Sequence, residues 1–156
     1  MKRLACVALV TVSLVAAPPN PVAWKLADIP AKPVKAGARF TVKLTASIQA
    51  GWHIYSMKPI EDGPTPTRIW LAEGQPFQLA GPVKGDEPQT LQDPTLHMDV
   101  ELYEGAAGFS LPLRVAPGTS PGAQNLVVNV QAQSCNNSIC LPPATVKVEL
   151  PVTVAR

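Results

Sequence analysis

The sequence predicts an all-β protein, an antiparallel β-sandwich built as a single domain. Short segments that alternate apolar and polar residues, or that are β-branched and bulky, follow one another between turn residues. The 156 residues include 18 prolines, which favour strand ends and loops over helices. Beyond residues 1–17 the chain shows no helical period and no internal repeat. The length suffices for one domain with a sizeable core.

The expected strands are short and are joined by turns rich in glycine and proline. In chain order they are residues 24–26, 39–48, 52–55, 68–71, 77–79, 98–103, 108–115, 126–132 and 145–150. Residues 39–48 alternate most regularly, which predicts a strand with one buried and one wet face. We expect 98–103 and 108–115 to form a hairpin through Glu104-Gly105. Residues 82–94 are expected to be a long polar connection.

The N-terminus has the pattern of a secretory signal peptide. A short basic start precedes an apolar run closed by small residues, so residues 1–17 are expected to be removed and Cys6 with them. A proline-punctuated lead-in, 18–30, then precedes the folded domain, 31–156. No later segment is long enough to cross a membrane. The net charge of +2, with 15% charged residues and no later basic cluster, argues against nucleic-acid binding.

The stretch 134–143 holds the two cysteines that lie outside the extreme N-terminus. Strand-like segments flank it, and Asn136-Asn137-Ser138 has the composition of a turn. Cys135 and Cys140 should therefore face each other near the tip of a hairpin. Directly opposed residues there have Cα atoms about 4.5–5.5 Å apart. A disulfide needs about 4.4–6.8 Å, so the pair can open and close with little backbone movement.

Three roles are open for this cysteine pair. As a staple it is poorly placed, because closing a loop of about six residues contributes only about 2 kcal/mol in the chain-entropy model. A redox role is favoured over a small structural clip. A metal site is disfavoured, since two thiolates need two further ligands and the only histidines, His53 and His97, lie far away in sequence. The sequence predicts no cofactor.

Other side chains are candidates for assisting a thiol. Alternation puts His53 and Tyr55 on the same face of their strand, where His53 is either a base or a packed residue. Tyr55 and Tyr103 either donate hydrogen bonds to a thiolate or belong to the core. The acidic candidates either tune thiol pKa values or are simply solvated; they are Asp93, Asp99 and Glu101. Asn136-Asn137-Ser138 also matches a glycosylation sequon.

Three motifs resemble the N-terminal periplasmic domain of the bacterial thiol:disulfide interchange protein DsbD. They are Gly51-Trp52-His53-Ile54-Tyr55, Glu101-Leu102-Tyr103-Glu104-Gly105 and the Cys135-x4-Cys140-Leu141-Pro142-Pro143 hairpin. The resemblance implies an immunoglobulin-like sandwich in the periplasm. It also implies a protein-disulfide reductase activity, linked to cytochrome c maturation, in which Cys135 and Cys140 are catalytic. The pair would receive electrons from a membrane thiol reductant similar to CcdA or DsbD and pass them to thioredoxin-fold clients.

The resemblance further implies a loop that caps the cysteines until a partner docks. By its position the matching segment is 93–99, with Leu96 where the family often has an aromatic residue. The expected cap and its surroundings comprise Leu96, His97, Tyr55 and Tyr103. Cys140 would form the mixed disulfide with the client. The sequence ends at Arg156, without the transmembrane and thioredoxin-like domains of the full interchange protein, which predicts a stand-alone exported chain.

Two functional hypotheses therefore follow from the sequence. The first is a periplasmic carrier that works by thiol–disulfide exchange. The second is a non-catalytic immunoglobulin-like binding or accessory module in which the cysteines form a structural clip. A reduction potential separates them, because structural disulfides typically lie below about −300 mV and labile catalytic ones above.

Overall fold

The computed structural model describes residues 20–94 and 96–156, and this part of the chain is all-β, as predicted. The predicted signal peptide, 1–17, lies outside the described residues. The described part contains twelve strands. They are β1 Val22–Ala27, β2 Arg39–Ile48, β3 Trp52–Tyr55, β4 Arg68–Leu71, β5 Phe77–Leu79, β6 Lys84–Gly85, β7 Gln89–Asp93, β8 Met98–Glu104, β9 Ala106–Val115, β10 Gly122–Ala132, β11 Ser134–Asn136 and β12 Ala144–Val154. No helix in this part could cross a membrane.

The strands form three antiparallel sheets. The first sheet has the order β1-β2-β9-β5, and β6 also pairs with β9. The second has the order β12-β10-β4, and the third has the order β11-β3-β8-β7. Strand β1 pairs with β2 from Val22 to Ala27, so part of the segment expected to be a lead-in is joined to the domain.

The main core contains mostly side chains from the first and second sheets, joined by Ile54 and Tyr103 of the third. In β2 the predicted alternation is confirmed, because Val42, Leu44 and Ala46 are fully buried. They meet apolar side chains of β9 and β10, including Phe109 and Val128. Hydrophobic burial at this scale is the main force that holds such a sandwich together.

The prediction that 98–103 and 108–115 pair as a hairpin is wrong. Strand β8 pairs with β3 and β7, whereas β9 pairs with β2, β5 and β6. Gly105, at a φ of 68°, turns the chain from the third sheet into the first. The long connection expected at 82–94 is also not unstructured, since it contains β6 and β7. Four of the five β7 residues are exposed, so β7 lacks the alternation of buried and exposed residues from which a strand is predicted.

The cysteine hairpin begins where the β10–β12 pair ends. This pair runs in register from Gly122 opposite Val154 to Ala132 opposite Ala144. Beyond it, the single residue Gln133 faces two prolines, and β11 leaves the second sheet to pair with β3 of the third. The prolines cannot donate to a ladder, which favours this break. The hairpin tip therefore lies on the third sheet.

Candidate functional site

Cys135 and Cys140 form a disulfide at the tip of the hairpin, with an S–S distance of 2.05 Å. Two backbone hydrogen bonds flank the pair: Asn136 donates to the Ile139 carbonyl and Leu141 to the Ser134 carbonyl, each at 2.9 Å. This makes the cysteines a non-hydrogen-bonded antiparallel pair, the closer of the two kinds. Their Cα atoms are 4.1 Å apart, slightly closer than the sequence predicted.

The tip between the cysteines is an Asx-type turn, which confirms the predicted turn. The side-chain oxygen of Asn136 accepts hydrogen bonds from the backbone N–H groups of Ser138 and Ile139, each at 2.9 Å. The Ile139 residue is 51% exposed, next to Cys140. An uncharged and partly apolar tip therefore borders the disulfide.

The two sulfur-bearing residues differ in solvent access. Cys135 is fully buried in a small cluster with Tyr55, Val100 and Leu102. Cys140 is partly exposed and packs against this cluster from outside. We call the four buried residues the disulfide cluster; Ile60, Leu96 and Met98 also pack on it. An incoming thiol therefore reaches the Cys140 side of the bond first.

A buried polar group lies beside the disulfide cluster. Cys135 is the cross-strand partner of His53, whose side chain lies on the same face of β3 as that of Tyr55. The Tyr55 hydroxyl donates to Asp93 Oδ2 at 2.6 Å, and His53 Nε2 lies 3.3 Å from both oxygens. Burial, followed by the hydrogen bond to Asp93 and its negative charge, raises the pKa of the Tyr55 phenol far above its ordinary value. The phenol therefore keeps its proton and acts as a donor.

Asp93 also binds the turn between β7 and β8. Its Oδ1 accepts a hydrogen bond from the Leu96 N–H at 2.9 Å, and its backbone carbonyl accepts one from the His97 N–H at 2.8 Å. His97 has a left-handed backbone, with a φ of 56°. The expected loop 93–99 is thus shorter than predicted, because Asp93 ends β7 and Met98 begins β8. Leu96 and Met98 from this hairpin reach the disulfide cluster.

Residues 25–151 match the family described as "Thiol:disulfide interchange protein DsbD, N-terminal". The chain belongs to this family. The fold is similar to that of the DsbD N-terminal domain of Neisseria meningitidis in the reduced form, with a TM-score of 0.53 and 16% identity over 76% of this chain and 82% of that one. The immunoglobulin-like β-sandwich expected from the sequence is therefore confirmed.

A second similar structure is the N-terminal periplasmic domain of ScsB from Proteus mirabilis. It has a TM-score of 0.50 and 15% identity over 78% of this chain, which spans 43% of that chain's length. No curated protein gives a significant sequence match. These likenesses establish the DsbD-type fold.

Not all of the predicted site residues meet in this DsbD-type domain. Tyr103 lies in the main core, where its ring packs on Phe109 with centroids 5.6 Å apart and its hydroxyl donates to the Asp86 carbonyl at 2.8 Å. Burial, and then the nearby acidic groups, raise the pKa of Tyr103. His97 is exposed at the turn. The structure therefore brings Leu96 and Tyr55 to the disulfide cluster, but places Tyr103 elsewhere.

The three acidic candidates also separate. Asp93 is buried against His53 and Tyr55, and Asp99 is exposed. Glu101 accepts hydrogen bonds from Lys58 at 2.6 Å and from the Ser56 hydroxyl at 3.2 Å; the Lys58 bond is the main cause that lowers its pKa. Among the described residues, no group of three His, Cys, Asp or Glu side chains is placed to hold a metal ion.

Proposed function

We propose that this protein is a periplasmic thiol–disulfide exchange protein that relays reducing equivalents through Cys135 and Cys140. The observation that carries the proposal is a disulfide at a hairpin tip with one buried and one accessible cysteine, in a chain of the DsbD N-terminal family. The clients would be thioredoxin-fold proteins, and the donor a membrane thiol reductant of the CcdA or DsbD kind. Protein-disulfide reduction, including a link with cytochrome c maturation, belongs to this proposal.

The first half of the cycle reduces the pair. A donor thiolate attacks one sulfur of the Cys135–Cys140 bond, which breaks as a mixed disulfide with the donor forms. A second donor thiolate then attacks the donor sulfur of that mixed disulfide. The donor leaves oxidised to its own disulfide, and the two cysteines have gained two electrons from it and taken up two protons.

The second half passes these equivalents to the client. The Cys140 thiolate attacks the client disulfide, and one client sulfur leaves as a thiolate. Cys135 then attacks the Cys140 sulfur of the mixed disulfide, which restores the Cys135–Cys140 bond and releases the client as a dithiol. The partial exposure of Cys140 and the burial of Cys135 support this order of roles.

The side chains around the pair are proposed to control access to it. Leu96 packs against the disulfide cluster beside Met98, as a cap would. Tyr55 packs in the same cluster and binds Asp93. His97 lies exposed next to Leu96 and would meet an approaching partner. In an oxidising compartment an unshielded disulfide reacts with any thiolate that reaches it, so a cap has a chemical purpose.

The test has two measurements on the purified protein. We expect a reduction potential for Cys135–Cys140 above about −300 mV, the range of labile disulfides. We also expect the reduced protein to reduce an oxidised thioredoxin-fold protein. Alkylation and mass spectrometry would detect the thiols formed in that client. The double variant with Cys135→Ser and Cys140→Ser is the control. A lower potential together with no transfer would instead leave an immunoglobulin-like binding module with a structural clip.

A further inference from the structure

The Asp93 carboxylate connects β3 with the turn between β7 and β8. Its side chain has no solvent exposure. Oδ2 faces the Tyr55 hydroxyl and His53 Nε2, both from β3, while Oδ1 accepts the backbone N–H of Leu96. Leu96 in turn packs on the cluster that contains Cys135. One buried group thus joins the strand beside Cys135 to a residue that packs on the disulfide cluster.

We infer that Asp93 is a positioning residue that holds Leu96 over the Cys135–Cys140 disulfide and thereby limits how fast a thiol reaches it. This inference rests on the proposed exchange function, because it concerns access to the same disulfide. A carboxylate without solvent contact must be compensated by hydrogen bonds, and here those bonds come from both β3 and the Leu96 backbone. If Leu96 moved away, Oδ1 would lose the bond that ties it to the Leu96 backbone.

The two oxygens of the Asp93 carboxylate have different partners. Tyr55 keeps its proton, so it donates to Oδ2 and leaves Oδ1 free of competition from the phenol. The two oxygens of one carboxylate thus bind β3 and the Leu96 backbone, which keeps Leu96 close to the disulfide cluster. Asp93 is the last residue of β7, and the bond from the His97 N–H to the Asp93 carbonyl fixes the same turn.

The experiment measures the rate at which dithiothreitol reduces the disulfide in variants of the full chain. Asp93→Ala removes the acceptor for Leu96 and should raise the rate about tenfold. Asp93→Asn retains an oxygen for the Leu96 N–H, while the Tyr55 hydroxyl can accept from its amide, so this variant should stay close to the original rate. Leu96→Gly removes the covering side chain and should match Asp93→Ala, with little further gain in the double variant.

A second readout is the hydrogen exchange of individual backbone amides. Asp93→Ala should expose the Leu96 amide while leaving the Val128 amide, in the main core, protected. The matched control is Glu101→Ala, which removes another hydrogen-bonded acid of the β7–β8 hairpin, one that bonds Lys58 and Ser56. It should change neither the reduction rate nor the exchange at Leu96.

Several outcomes would overturn the inference. A folded Asp93→Ala variant that keeps the original reduction rate would refute the anchoring role. Equal acceleration by Asp93→Asn would also refute it, because the charge and not the acceptor oxygen would then control the rate. If Asp93→Ala does not fold, Tyr55→Phe decides. It loses the contacts of the phenol with Asp93 and His53, and unchanged Leu96 exchange and reduction rate would count against the anchor. Dithiothreitol reduces a disulfide whatever its cellular role. The reduction rates of the variants therefore test the Asp93 anchor even if the protein fails to reduce a client, and that failure would count only against the proposed function.

Discussion

At the scale of single residues, the two cysteines are chemically equivalent in the sequence and inequivalent in the fold. Cys135 has no exposed surface, whereas Cys140 is partly exposed beside the exposed Ile139. Exchange depends on which sulfur can be reached as much as on the thiol's own reactivity. The fold therefore separates a partly exposed cysteine from a buried one.

This difference predicts which variant traps a partner. In Cys135→Ser, the Cys140 thiol should attack an oxidised thioredoxin-fold client and remain bound to it, because the resolving thiol is missing. Non-reducing electrophoresis and mass spectrometry would detect the adduct. Cys140→Ser is the matched control and should accumulate little, since its thiol is buried. If the adduct forms only in Cys140→Ser, the two roles are reversed.

The two tyrosines give a pH prediction at the same scale. The pKa values of Tyr55 and Tyr103 are both raised above the ordinary 10.0, in each case mainly by burial. A raised pKa in the folded state means that the stability contribution is complete below pH 10.0 and is lost as the pH rises above it. We therefore expect little phenolate absorbance near pH 10 while the protein is folded.

As the pH rises further, the phenolate absorbance should increase together with the loss of folded structure. Circular dichroism measures that loss. Tyr55→Phe is the control, because it leaves only Tyr103 to titrate and should halve the total change. Half of the phenolate signal appearing near pH 10 in protein that remains folded would contradict the burial of one ring.

At the scale of elements, the strands that sequence predicts best carry their own pattern. The observed bounds of β2, β3, β4 and β5 equal the predicted ones. In β2 one face is buried and the other is exposed to solvent, so apolar and polar residues alternate with a period of two along the sequence. Strand β7 has no such pattern, since its residues Gln89 to Gln92 are all exposed and only Asp93 is buried.

Pairing between elements is not local, and there the sequence was less informative. Consecutive strands pair often, which favoured a hairpin of β8 with β9. The chain instead uses Gly105 to change sheets. The tip of the cysteine hairpin was predictable because its turn and both cysteines lie within a few residues. The Asp93 contacts were not, because they cross 38 residues to Tyr55 and 40 to His53, and three acidic residues looked alike in the sequence.

At the scale of the whole molecule, the disulfide lies apart from the main core. Its cluster contains Cys135, Tyr55, Val100 and Leu102, whereas the main core has its own, larger set of buried side chains. The long β10–β12 pair runs from Gly122 opposite Val154 to Ala132 opposite Ala144 and is complete before the cysteines are reached. Opening the bond should therefore leave the sandwich intact, as a carrier that exists in both redox states requires.

This separation predicts that the reduced protein unfolds cooperatively and only slightly earlier than the oxidised one. The loop closed by the bond spans a sequence separation of 5, for which chain entropy gives about 2 kcal/mol. For a domain of this size that corresponds to a decrease in Tm of less than roughly 10 °C. Thermal unfolding followed by circular dichroism, with and without reductant, measures it. Phe109→Ala is the comparison, since emptying a fully buried aromatic site in the main core costs about 3–5 kcal/mol. If reduction destabilises the protein more than Phe109→Ala does, the bond is a structural staple, and its repeated opening in an exchange cycle would unfold the domain that performs it.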